Sequence, residues 1–180
     1  MKMKEIGNRL RFTIFILFCF FNVACGARYM VNGQVVDAQT SVPISGAAVF
    51  IYWSESSWPP GLGGSKKVEV AEDLTSVEGF FQVPKYSMTS KNYRMAVYKK
   101  GYVCWSNEDI FPTLEKRTDF KLKNRMVIKL ERFKEEYSRL RHASFTLTSS
   151  VGRLEPGIFN LAIDDEKQIE LDHFKPKKRD

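Results

Sequence analysis

Apolar side chains recur with a period of two along short segments between Tyr29 and Glu131, and this alternation constrains the fold more than any other feature. The segments with this pattern are 30–36, 47–52, 68–74, 80–84, 93–98, 102–105 and 126–130. They are rich in Val, Ile and aromatic residues and are separated by Gly, Pro, Ser and Asn, which is typical of β-strands. Since no helix-period segment lies between them, folds that alternate strands with helices are excluded. We expect a mainly β domain over 29–131, a seven-stranded antiparallel sandwich of two sheets.

After Glu131 the spacing of apolar residues changes to that of a helix. Steps of three or four residues join Phe133, Tyr137, Leu140, Ser144, Leu147 and Val151. Gly152 is the expected end of this helix. The mixed spacing of a second amphipathic segment, 157–173, leaves its helical character open. We therefore expect a C-terminal amphipathic helical extension over 132–174, followed by a solvated basic tail over 175–180.

The N-terminus has the layout of a bacterial export signal. Residues 1–11 are basic, residues 12–25 form an apolar run without a charge, and small residues follow up to Ala27. The apolar run is shorter than the roughly 20 residues of a comfortable membrane span. We expect residues 1–25 to direct export to the cell envelope.

Two processing outcomes are open for this signal. The segment Asn22–Cys25 resembles a lipobox, in which the cysteine is lipidated and becomes the first residue of the mature chain. Lipidation of Cys25 would anchor the protein in the membrane, facing the periplasm or the cell surface. Cleavage after Gly26 or Ala27 would instead release a soluble periplasmic or secreted protein. An uncleaved N-terminal anchor is a third outcome.

The cysteines and histidines suggest neither a disulfide nor a metal site. Cys19 is removed with the signal and Cys25 is blocked or removed, so Cys104 has no partner and is expected to be a buried small hydrophobe. His142 and His173 lie far apart in sequence, and we expect each to be solvent-exposed on a helix. The acidic cluster 164–166 is interpreted as a solvated turn or helix face. No metal, cofactor or catalytic residue is expected.

The net charge of +7 does not indicate a nucleic-acid partner, because most of the basic excess lies at the two ends of the chain. The signal and the C-terminal tail account for it, and the intervening residues are nearly balanced.

Four ordered motifs resemble the carboxypeptidase regulatory-like domain family. The run 31–37, VNGQVVD, is similar to the opening strand and turn of the family, and 43–49, PISGAAV, to the strand that follows. The run 75–81, TSVEGFF, resembles a T-D-x-x-G-x-F element, with Ser76 in the usual place of Asp, and 97–102, VYKKGY, ends like the K-x-G-Y element. The resemblance implies a prealbumin-like, immunoglobulin-like β-sandwich whose motif residues are structural. It implies no catalytic group.

We consider two functions. The first is a non-catalytic, lipid-anchored envelope protein that acts as an accessory or protein-interaction module with a protein partner in the envelope. The second is a carbohydrate-binding module in which Tyr52, Trp53 and Trp58, around the 54–67 loop, stack on sugar rings. The alternative expectation, which counts against the carbohydrate-binding function, is that Trp53 and Trp105 fill the core.

Overall fold

A computed structural model of the chain describes residues 28–56, 64–87, 91–150 and 157–174. The strands of these residues are β1 (Arg28–Asp37), β2 (Ala48–Ser56), β3 (Ser65–Leu74), β4 (Phe80–Tyr86), β5 (Lys91–Tyr98), β6 (Trp105–Ser106), β7 (Asp109–Ile110), β8 (Glu115–Lys116) and β9 (Met126–Leu130). The helices are α1 (Arg139–Ser149), α2 (Ile158–Ala162) and α3 (Asp164–Phe174).

The strands form a sandwich of two sheets, as the alternation predicts. A three-stranded sheet has the order β4-β1-β9 and a four-stranded sheet the order β3-β2-β5-β6, while β7 and β8 pair as a small separate hairpin. The pairings within both sheets are antiparallel except that of β1 with β9, which is parallel from Gly33 opposite Met126 to Asp37 opposite Leu130. This pair departs from the antiparallel expectation, because β9 reaches β1 through a long connection rather than a hairpin.

The main core lies between the two sheets. On β2, Val49, Ile51 and Trp53 point inward and are at most 3% exposed, while Phe81 and Val83 of β4 oppose them from the other sheet. Gly33 is required at the centre of β1, because a Cβ there would lie 2.3 Å from Cζ of Phe81. The alternation of β1, β2 and β4 therefore places one face of each strand in this core.

A second core covers the outer face of the four-stranded sheet. Ala48 and Phe50 of β2 and Ala96 of β5 face away from the first core and are buried against the C-terminal helices. The rings of Phe50 and Phe159, the latter on α2, lie 5.5 Å apart. The helical extension thus forms a third layer on the sandwich, whereas Phe80 and Val127 on the outer face of the three-stranded sheet are each 54% exposed.

The first helix begins later than its apolar spacing predicts. The N–H of Phe133 donates to the carbonyl of Gly101 at 2.9 Å, so the chain remains extended there. The helix starts only after Ser138, whose Oγ accepts from the N–H of Arg141 at 3.3 Å. Phe133 and Tyr137 nevertheless pack on the second core, as their spacing with Leu147 suggests. Residues 151–152, including the expected stop at Gly152, lie outside the described residues. The segment 157–173 is helical, with a break at Ile163.

The turn of the third motif forms although Ser76 replaces Asp. The N–H of Phe80 donates to Oγ of Ser76 at 3.2 Å, and the N–H of Gly79 donates to the carbonyl of the same residue at 2.9 Å. Gly79 has φ +77°, and a Cβ there would lie 2.5 Å from the carbonyl oxygen of Val35. Only glycine combines a positive φ with the absence of a Cβ, which explains why the motif has a glycine at this position.

Asp37 joins three separate segments at the end of β1. Its Oδ1 accepts from the N–H groups of Gln39 and Thr40, each at 2.9 Å. Its Oδ2 accepts from Nε of Arg132 at 2.7 Å and from the hydroxyl of Tyr102 at 3.1 Å. The backbone N–H of Thr40 and then the Arg132 guanidinium hold the pKa of Asp37 well below its usual range. The carboxylate is therefore bound in its ionised form.

We predict that Asp37→Asn lowers the free energy of unfolding at pH 7, and that its deficit relative to wild type shrinks in acid. The pKa of Asp37 is lower in the folded than in the unfolded chain, so the charged form stabilises the fold above about pH 4. This contribution is lost as pH falls from about 4 towards the folded pKa. Urea unfolding at pH 7 and in acid measures it, with Asp119→Asn, an exposed carboxyl, as the control. A deficit that is constant with pH would contradict the assignment.

Candidate functional site

A buried polar cluster lies between the four-stranded sheet and the helices. His142 on α1 is 2% exposed, and its Nε2 accepts from the backbone N–H of Cys104 at 2.9 Å. Its Nδ1 lies 3.2 Å from Oε1 of Glu166 on α3, which also accepts from the hydroxyl of Tyr98 on β5 at 3.1 Å. Because Nε2 is an acceptor, Nδ1 holds the proton and donates to the carboxylate. One imidazole therefore links the sheet to two helices.

This cluster is closed to solvent and its groups are protected from reaction. Cys104 is 1% exposed, and burial raises the pKa of its thiol to about 12, so little thiolate forms. Burial, followed by the charge of Glu166, also raises the pKa of Tyr98. The rings of Phe111 and Phe133 lie 5.2 and 5.0 Å from the His142 ring and cover it. The arrangement is suited to holding helices on the sheet, not to acting on a ligand.

The sequence-based expectations for these residues were partly wrong. His142 and Glu166 are buried rather than solvated, because each is the other's hydrogen-bond partner across the helix layer. His173, Asp164 and Asp165 are exposed as expected. The burial of Cys104 is confirmed. Within the described residues, Glu166 Oε2 and Thr146 Oγ1 are buried without a hydrogen-bond partner.

The candidate binding site is a surface groove of about 540 Å³ between α1 and the segment 106–116. Its floor is apolar and includes Phe111, Leu114, Leu140 and Phe145. Its rim holds two ion pairs, Arg94 with Glu108 and Lys116 with Asp109, each with an N–O distance of 2.8 Å. This volume lies within the range of ligand-binding pockets, which combine apolar walls with a few placed polar groups. We refer to it as the α1 groove.

Of the residues selected from the sequence, the structure describes only Tyr52 and Trp53. Cys25 and Trp58 lie outside the described residues. Trp53 is 3% exposed in the main core, where its Nε1 donates to the carbonyl of Pro84 at 3.0 Å. Tyr52 is half-buried against the second core. Trp53 therefore offers no ring face to a sugar, which corrects its candidacy as a ligand-binding residue. Trp105 is likewise buried, at 8% exposed.

Sequence reasoning identified only the helical side of the α1 groove. Leu140 and Ser144 belong to the apolar stripe read from the helix spacing, and both line the groove. Phe111 and Leu114 escaped notice because they lie in an irregular segment, where neither a period of two nor a period of 3.6 exists to mark them. The sequence marks them only by the pair Phe111-Pro112, which stands between the charged residues of 108–109 and 115–117.

Two further features concern metal binding and membrane spanning in the residues that the structure describes. No group of three or more His, Cys, Asp or Glu side chains is placed there to hold a metal ion. Among their helices, none combines the length and the hydropathy needed to cross a membrane.

No protein-family model and no curated protein matches the chain, so membership of the carboxypeptidase regulatory-like family stays a prediction.

Solved structures show limited likeness to the fold of this chain. A 3-chlorocatechol 1,2-dioxygenase from Rhodococcus opacus matches at 11% identity and a TM-score of 0.42, over 62% of this chain and 62% of that one. The C-terminal domain of the shaft pilin spaA from Lactobacillus rhamnosus matches at 12% identity and a TM-score of 0.35, over 59% of this chain and 99% of the domain. The chain thus spans less than two thirds of the dioxygenase, and such likenesses assign it neither a family nor an activity.

We predict that His142→Ala lowers the free energy of unfolding by about 2–4 kcal/mol, because it leaves the Cys104 N–H buried without a partner, leaves Glu166 with only the Tyr98 hydroxyl, and opens a cavity. Chemical unfolding followed by far-UV circular dichroism measures the loss. His173→Ala, at the exposed end of α3, is the matched control and should change stability by no more than about 0.5 kcal/mol. Equal effects of the two substitutions would show that the buried imidazole does not hold the layers together.

Proposed function

We propose that this protein is an exported, lipid-anchored, non-catalytic module of the cell envelope that binds a protein partner in the α1 groove. The observation that carries the proposal is the placement of Cys25. It ends a charge-free apolar run, follows Val23 and Ala24, and stands just before the first strand at Arg28. An acyl chain on this cysteine would anchor the sandwich directly to a membrane surface.

The state of the reactive groups supports a binding role over a catalytic one. The Cys104 thiol and the His142 imidazole are enclosed in the second core. The charged side chains of Arg94, Glu108 and Lys116 at the groove rim are already engaged in ion pairs. Catalysis generally needs a titratable group in reach of substrate with its pKa tuned to the task. These side chains instead frame an apolar floor.

The groove chemistry fits a polypeptide segment. An apolar floor beside rim groups of both signs resembles the composition of protein interfaces, which combine a buried apolar centre with a polar rim. A partner segment with an apolar side chain for the floor and polar groups on either side would match it. The carbohydrate alternative is weakened because Trp53 lies in the core, and among the residues that the structure describes no exposed aromatic lines the α1 groove.

The lipid anchor predicts a specific labelling pattern. Cells fed a palmitate analogue should label the wild-type protein and the Cys19→Ser control, because the signal cysteine is discarded. Cys25→Ser should abolish the label and release the protein from the membrane fraction. An unlabelled wild-type chain whose mature N-terminus lies beyond Cys25 would instead establish cleavage after Gly26 or Ala27.

The groove predicts position-specific crosslinking. A photo-crosslinking amino acid in place of Leu114, at the groove, should give one discrete adduct in intact envelopes, and the same amino acid in place of Val127 should not. Both positions are 54% exposed, so accessibility is matched. A second substitution, Thr148→Arg, should remove the Leu114 adduct by filling the groove. Adducts of equal yield at both positions, or no effect of Thr148→Arg, would contradict binding in the groove.

A further inference from the structure

The first strand starts very close to the proposed site of lipidation. Only Gly26 and Ala27 separate Cys25 from Arg28, the first residue of β1. A fully extended chain covers at most about 3.6 Å per residue, so these three steps span no more than about 11 Å. If Cys25 is lipidated, the end of the sandwich that holds Arg28 must therefore lie within about 11 Å of the acylated residue.

The strand register identifies what else lies at this end. Arg28 is opposite Tyr86, the last residue of β4, and Glu55 near the end of β2 is opposite both Lys66 and Lys91. The two sheets are held together here, because Arg28 pairs with Glu69 of β3 at 2.7 Å. The ends of β2 and β4 and the starts of β1, β3 and β5 therefore share one surface.

The segment before β9 is fixed beside the same end. Nζ of Lys85 donates to the carbonyl of Leu122 at 2.6 Å, and the N–H of Leu122 donates to the hydroxyl of Tyr93 at 3.2 Å. The N–H of Asn32 donates to Oδ1 of Asn124 at 3.0 Å. These bonds place the exposed Lys121, Lys123 and Arg125 next to the start of β1.

This surface, which we call the basic end, is cationic. It is formed by Arg28, Lys66, Lys85, Lys121, Lys123 and Arg125. Glu69 faces Arg28 and accepts from Tyr86, so its charge is compensated, and Glu55 is half-buried. Asp119 is exposed near Lys121 and Lys123 and pairs with Arg117 at 3.5 Å. Tyr29 and Met30 are 46% and 48% exposed beside these cations. Cations flanked by an exposed aromatic and an apolar side chain match the boundary between lipid headgroups and acyl chains.

The opposite end of the sandwich differs in charge. Exposed acidic side chains such as Glu78, Asp164 and Asp165 occur there together with exposed lysines such as Lys100 and Lys134. Glu78 lies in the turn before β4, and Asp165 pairs with Lys100 after β5. The far end thus carries charges of both signs, and the predominantly basic end is the one towards the attachment point.

We propose that the basic end is a membrane-docking face that binds the anionic headgroups of the leaflet in which the chain is anchored. This inference rests on the proposed function, because the acyl chain at Cys25 brings this end to the bilayer. Lipid on Cys25 would hold the chain at the bilayer, and a basic patch at the same end adds electrostatic attraction to anionic headgroups. Docking by this end points the far end away from the membrane.

Vesicle binding by the unlipidated protein tests the docking face independently of the acyl chain. The mature chain from residue 25 carrying Cys25→Ser should bind phosphatidylglycerol-containing vesicles in sedimentation assays. Added salt should release it. Each exposed lysine contributes about fivefold in affinity, so changing Lys66, Lys121 and Lys123 together to Gln should weaken binding about a hundredfold. The matched control changes Lys99, Lys100 and Lys134 of the opposite end to Gln, removes the same charge, and should bind like the parent.

The outcomes separate this inference from the proposed function. Equal binding to phosphatidylcholine vesicles, no binding to phosphatidylglycerol, or equal losses in the two triple variants would overturn the docking face, whatever the palmitate label shows. Absence of the label together with the expected vesicle binding would overturn the lipid anchor and leave the face supported. Circular dichroism spectra equal to those of the parent establish that each triple variant is folded.

Discussion

The four-stranded sheet is apolar on both faces, and the rest of the structure follows from covering both. Val49 and Ile51 of β2 face the three-stranded sheet, while Ala48 and Phe50 of the same strand face the helices. A sheet with two apolar faces is stable in water only when a layer packs on each of them. The C-terminal helices are therefore part of the domain's core and not an appendage on a finished sandwich.

Two polar junctions fix how the layers meet. Asp37 joins the end of β1 to Tyr102, which follows β5, and to Arg132, which follows β9 and leads into the helical layer. His142 joins α1 to the backbone at Cys104 and to Glu166 of α3. Apolar packing has no direction, whereas these hydrogen bonds accept one geometry. The junctions therefore set the register in which the apolar surfaces dock.

The sequence predicted the sandwich well and the helical layer poorly, for physical reasons. The alternation along β1, β2, β4 and β5 is local, and each strand occurs close to its expected bounds. The parallel partner of β1 depends on a connection whose path no local pattern encodes. His142 and Glu166 looked like surface residues because burial of a polar side chain depends on a partner that is distant in sequence. All residues of 47–53, most of which lie on β2, are apolar, so the side chains on both faces of this strand are apolar. This is the sequence feature that indicates a sheet covered on both faces.

The same uneven predictability applies to function. The expected export signal rests on a local pattern of the sequence, whereas the α1 groove arises where Phe111 and Phe145, from separate elements, come together. The basic end is likewise visible only once the register places Arg28 beside residues 121–125. The fold thus brings basic residues that are far apart in the sequence to one end of the sandwich.

Hydrogen exchange of the native protein tests most directly the claim that sheet and helices form one cooperative unit. Buried amides of β5, such as those of Ala96 and Val97, and amides of α1, such as that of His142, report on the two layers separately. The account predicts the same opening free energy for both sets, with the same dependence on denaturant. Amides of α1 that exchange through a separate, lower-energy opening, while β5 stays protected, would contradict it.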